Sequence, residues 1–190
     1  MIYPIVAYGH PILRQKAADI KSDFPDLQEF IKNLWETMYA TDGIGLAAPQ
    51  VNRAIRIFVI DATVLAKNYP ETTGFKKTFI NAYKINEGGD AWLFNEGCLS
   101  IPDIHEDVSR PKRILLHYLD ENFDEHEEWF EGAVARTIQH EYDHLEGILF
   151  TDYLSPMRKT MLARKLNNIA LGNIETKYRM IFPRSKKQKR

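Results

Sequence analysis

His140, Glu141 and His144 stand in an H-E-x-x-H arrangement inside a run that reads as a helix. At about 100° per residue, positions four apart differ by about 40° around a helix axis, so both imidazoles leave one face and can hold a single metal ion. Glu141 lies beside them, within reach of a water activated by that ion. The pattern points to metal-assisted hydrolysis rather than to two unrelated histidines.

A catalytic site of this kind needs a third protein ligand and keeps a further position open. A histidine six residues past His144 would make a metzincin-type protease, but that position is Phe150, although Gly147 stands where such a motif has its glycine. A glutamate on a downstream helix would make a thermolysin-like, zincin-type metallopeptidase. The first candidate for it, Glu175, sits in a segment with little helical patterning. The chain's single cysteine, Cys98 in FNEGCLSIP, is the other choice. A lone cysteine is commonly a small buried hydrophobe. As a ligand it would complete a Cys-His-His donor set suited to iron(II), zinc, nickel or cobalt. The missing usual ligand shifts the balance to Cys98 and leaves Glu175 open.

A further constellation is GIGLAAPQ at residues 43–50. Its Gly43-x-Gly45-x-x-Ala48 spacing is not a dinucleotide loop, because it follows a helical run and enters Pro49. Its glycines let backbone groups approach a ligand closely, and Gln50 offers a neutral amide donor to a developing oxyanion. A tight helix-to-strand connection is the alternative reading.

These groups need elements to position them. Leu27, Phe30, Ile31, Leu34 and Met38 recur three or four apart, predicting an amphipathic helix over residues 24–40 with Ser22 or Asp23 as cap and Pro25 in its first turn. A second helix is expected from about Glu131, with Gly147 just past its end, and a third from Ser155 and Pro156 to Gly172, carrying Met161, Leu162, Leu166 and Ile169. Strands are expected at residues 55–60, 78–85, 114–119 and 127–130, and a surface loop at 67–74. The fold class is α+β, with small, mostly antiparallel sheets around a central HExxH helix and a C-terminal helix. Residues 1–172 read as one metallohydrolase domain, and 173–190 as a C-terminal extension with a basic tail.

Twenty-five basic residues nearly balance 26 acidic ones, but the last seven residues, RSKKQKR, hold five of the basic ones. The body before them is therefore acidic, which excludes a nucleic-acid-coating fold and DNA as a partner. The run from Asp120 to Glu131, with seven acids and no Lys or Arg, reads as a solvated hairpin face. One cysteine excludes a disulfide scaffold. Neither a signal peptide nor an apolar run long enough for a membrane span is present, so a cytoplasmic protein is expected.

GIGLAAPQ, EGCLS (Glu96 to Ser100) and QHEYDHLEG (Gln139 to Gly147) together resemble, in order, the three signature motifs of peptide deformylases, and the opening GHPILRQKA is also similar. The resemblance covers about Pro4 to Tyr153. It implies removal of the formyl group from the N-terminal methionine of nascent polypeptides, with release of formate. It implies Cys98, His140 and His144 as ligands of iron(II), replaceable by zinc or nickel, and Glu141 as general acid/base. Gln50 and the backbone N–H of Leu99 would stabilise the oxyanion, and Gly45 would contact a peptide bound as an extra strand. Ala133 and Thr137 share a helix face with His140 and, with Phe94, are expected to line the methionine pocket, plain core packing being the other reading. Glu96 is expected to pair with Arg110 and brace the Cys98 loop. The basic tail reads first as a disordered solubilising end, and in such an enzyme it could also contact ribosomal RNA.

Overall fold

A computed structural model describes residues 1–183; the basic tail, and the contact expected of it, lie outside the described residues. The chain runs β1 (Ile5–Val6), α1 (Leu27–Ala40), β2 (Gly45–Ala47), β3 (Ile57–Asp61), β4 (Lys76–Cys98), β5 (Ile101–Leu119), β6 (Glu125–Glu131), α2 (Gly132–Leu145), α3 (Pro156–Ala170) and β7 (Met180–Ile181). Strands β2 to β6 form one antiparallel sheet in sequence order, and β1 pairs with β7 in parallel. The class is α+β, as the sequence implies.

The apolar run of β3 has a simple cause. Side chains alternate across a strand, and Ile57 and Val59 join the core beneath α1 while Phe58 and Ile60 join the core beneath α2. A strand covered by a helix on each face is apolar throughout. The central helix is α2, whose residues are all buried except Thr137. Gly147 follows it at φ +71°, where a side chain would also strike the Arg14 backbone at 2.8 Å, so a glycine stop is required there.

Several expected boundaries move. Asp26 has φ 54°, outside the helical region, so α1 begins at Leu27 and Pro25 falls in the preceding turn instead of serving the helix. Strands β4 and β5 are far longer than the expected segments and form one hairpin ending at Cys98 and Ile101. Pairing survives Gly88, Gly89, Pro102 and Pro111 because bulges absorb the register shifts. In α3, Ser155 caps the first turn as expected, accepting from the Arg158 N–H, and Leu162, Leu166 and Ile169 are buried, but Met161 points outward at 62% exposure. The 67–74 segment is more than a surface loop: Thr72 is buried, Tyr69 packs on Trp92 and Phe94, and Glu71 Oε1 accepts from the Ala133 N–H at 3.2 Å, at the open start of α2. Among the described residues no helix is long and apolar enough to cross a membrane.

Candidate active site

Cys98 ends β4 at a two-residue turn, Leu99 and Ser100, before Ile101 opens β5. That turn lies against α2, which presents His140 and His144 on one face. One ligand atom from each of Cys98, His140 and His144 lies within 4.8 Å of the others, the one such group of three among the described residues. The Cys98 Sγ and His144 Nε2 are 3.3 Å apart. Glu175 lies on the neighbouring cavity wall but outside this group, so the glutamate-ligand alternative loses its third ligand.

The donors fit a borderline divalent ion, since one sulfur and two imidazole nitrogens suit iron(II), zinc, nickel or cobalt. Glu141 Oε2 is buried without a hydrogen-bond partner, which fits a site built to complete its contacts with a further group. Burial holds His144 well below its usual range, in the neutral form that ligation requires.

Glu96 organises the layer behind the ligands. Arg110 donates to both of its oxygens, at 2.8 and 3.0 Å, Arg136 donates to Oε1 at 2.9 Å, and His140 Nδ1 lies 2.9 Å from Oε2. Burial opposes the charge on Glu96, but His140 and Arg110 outweigh it and hold the carboxyl far below the usual carboxylate range. The bond at Nδ1 leaves His140 Nε2 for a ligand role. The Glu96–Arg110 pair expected from sequence is thus present, and it is part of a larger buried network in which Arg110 also donates to Asp143 Oδ2 at 2.6 Å.

Gln50 sits in a short turn at residues 48–51 behind β2. Its Oε1 accepts from the Ala47 N–H at 2.8 Å, which turns Nε2 toward Cys98 Sγ at 3.5 Å and Ser100 Oγ at 3.4 Å. On β2, Gly45 lies directly against Glu141: a Cβ there would stand 2.5 Å from Glu141 Oε1. Burial pushes the Glu141 carboxyl up to about 7, with His140 pulling the other way.

A cavity of about 890 Å³ opens over these groups. Gly45, Gln50, Phe94, Leu99 and Thr137 all line it, together with Cys98, His140 and Glu141. Ala133 is fully buried outside that lining, and its carbonyl accepts from the Thr137 hydroxyl at 3.0 Å. Sequence reasoning passed over Arg136, which lines the cavity and is 1% exposed. Its position one helical turn before His140 was the available signal. It also passed over Leu65 and residues 176–178 and considered Glu175 only as a ligand, yet these residues complete two walls; no spacing rule points to them.

The family model described as polypeptide deformylase matches residues 2–160 of this chain. The peptide deformylase of Christiangramia forsetii is 50% identical over 194 residues, covering 98% of this chain and 99% of that protein. The peptide deformylase of Flavobacterium johnsoniae matches to the same extent. Among solved structures, the peptide deformylase of Thermus thermophilus superposes with a TM-score of 0.78 at 35% identity, over 88% of this chain and 97% of that one. A plant peptide deformylase superposes with a TM-score of 0.79 at 29% identity, over 93% and 96%.

Proposed function

This chain belongs to the polypeptide deformylase family, and from that premise we propose which of its residues remove the formyl group from the N-terminal methionine of a nascent polypeptide, and how. The reaction hydrolyses a linear amide: water adds to the formyl carbon, the C–N bond breaks, and formate leaves a free amino terminus. Cys98, His140 and His144 would hold one divalent ion, iron(II) with zinc or nickel able to replace it, and when bound it supplies a Lewis acid that polarises the formyl oxygen and activates water.

The Glu141 carboxylate accepts the proton of the attacking water and returns it to the departing amine nitrogen. Burial raises this carboxyl above its ordinary range, which favours both taking and returning a proton near neutral pH. Gln50 Nε2 and the Leu99 N–H donate to the oxyanion that forms on the former formyl oxygen. The backbone at Gly45 pairs with the extended substrate, which reads main chain and tolerates varied side chains. Phe94 and Thr137 flank the methionine side chain, and Ala133 acts from behind by holding the Thr137 hydroxyl.

The observation that carries this reading is the meeting of the Cys98–His140–His144 cluster, the unpartnered Glu141 oxygen and the Gln50 amide, with Cys98, His140, Glu141 and Gln50 all lining one cavity. Anaerobically purified protein should release formate from a formyl-methionyl peptide. Glu141→Gln should lower kcat by about 10²- to 10⁴-fold with metal content unchanged. Parental turnover by that variant would overturn the assignment. A thiolate holding iron(II) needs a reducing compartment, which supports a cytoplasmic location, and the basic tail at residues 184–190 would contact ribosomal RNA near the nascent substrate.

A further inference from the structure

We propose that residues 173–183, which follow α3, form a strap over the active site, and that Tyr178 in it is a positioning residue that fixes the Leu99–Ser100 turn and so aims the Leu99 N–H. The inference rests on the oxyanion role given above to that N–H. The family match ends at residue 160, yet Glu175, Thr176, Lys177 and Tyr178 form part of the cavity wall. The phenol of Tyr178 donates to the Leu99 carbonyl at 2.8 Å. The next carbonyl of the same turn, that of Ser100, accepts from the Tyr8 N–H at 2.8 Å.

Each residue has only two soft backbone dihedrals. Cys98 is fixed by its strand pairing with Ile101, and the Leu99 and Ser100 carbonyls are each held from outside the hairpin. The Leu99 N–H between these fixed points has little freedom left. Without the phenol hydroxyl, one of the two external restraints is gone and the Leu99–Ser100 peptide plane can rock, turning the Leu99 Cα and with it the adjoining Cys98–Leu99 plane that carries the Leu99 N–H. The strap does not depend on that hydroxyl for its place. Ile5 N–H donates to the Arg179 carbonyl and Ala7 N–H to that of Ile181, both at 2.9 Å. Ile174, Met180 and Phe182 pack on the apolar cluster that contains Cys98, Ile101 and Ile104. The Thr176 hydroxyl donates to the Tyr178 carbonyl at 2.7 Å, shaping the bend that presents the ring.

Tyr178→Phe removes the hydroxyl and keeps the ring, so it separates aiming from packing. In the metal-loaded, full-length enzyme, kcat on a formyl-methionyl peptide should fall about five- to tenfold, the worth of one hydrogen bond. KM should stay within about twofold, because the lost restraint acts on a donor used mainly in the transition state. Amide hydrogen exchange over residues 97–101 should quicken, with metal content unchanged and the thermal midpoint lowered by no more than about 4 °C. Parental kcat would overturn the proposal, and so would a loss of kcat that only tracks lost metal or lost folded protein. If the parental enzyme itself released no formate, the functional reading would fall; an active parent with an equally active Tyr178→Phe would sink only the strap.

Discussion

Gly45 lacks a side chain because Glu141 occupies the place where one would be. Gly45→Ala would put a methyl group 2.5 Å from the carboxylate oxygen and displace it from the cavity. Displacing a reacting group by about 1 Å costs on the order of 100-fold, so kcat/KM should fall by about that factor while the thermal midpoint changes little, as steady-state kinetics and calorimetry would show. At this scale the sequence was informative wherever chemistry dictates residue type. His140, His144 and Glu141 announce themselves by spacing, Cys98 by being the sole thiol, and Gln50 by closing a run that opens with two glycines. Arg136 and Asp143 did not, because a charged residue on a helix is ordinarily solvated and nothing in one sequence shows that Glu96 and Arg110 wait opposite them.

The central helix is tied to β3 by an ion pair at its far end. Arg56 is fully buried; it donates to the Ala82 carbonyl, and its Nη1 lies 2.7 Å from Glu146 Oε1. Glu146 also meets Lys16 at 3.2 Å. Burial opposes the Glu146 charge, but Arg56 outweighs it and lowers the carboxyl below its ordinary value of 4.5. A folded-state value below the unfolded one means that the stabilisation is present above about pH 4.5 and is lost as pH falls through the folded value. Glu146→Gln should therefore cost about 1–3 kcal/mol near pH 7, and the gap between variant and parent should close in acid, measured by denaturant unfolding at a series of pH values. The helices themselves were legible because their apolar residues keep a period that only a helix satisfies, as Leu27 to Met38 do. The long β4–β5 hairpin was not. Its glycines and prolines look like strand ends, and its pairing is decided by a partner up to some 40 residues away rather than by local pattern.

Over the whole molecule, charge is divided rather than balanced. The body is acidic, α3 carries Arg158, Lys159, Arg164 and Lys165 with no acid among its residues, and five more basic residues follow at 184–190. If the tail meets ribosomal RNA, affinity should fall steeply with salt, and a chain ending at Pro183, lacking the five basic residues of the tail, should bind more weakly with a log-log salt slope shallower by about 4 than that of the full chain. Co-sedimentation across a salt series checks this, and equal slopes for the two would refute it. The α+β class followed from the order of elements, whereas the return of the chain after α3 did not, since Met180 and Ile181 are too short a run to read as a strand. That return has a consequence for the making of the protein. The N–H groups of Ile5 and Ala7 find their acceptors at Arg179 and Ile181, about 175 residues downstream. A chain emerging from the ribosome therefore carries β1 unpaired until residues 179–181 have been made. The opening segment is a stretch that a growing copy leaves long open to proteases and to stray strand partners, and the contacts that close it form late.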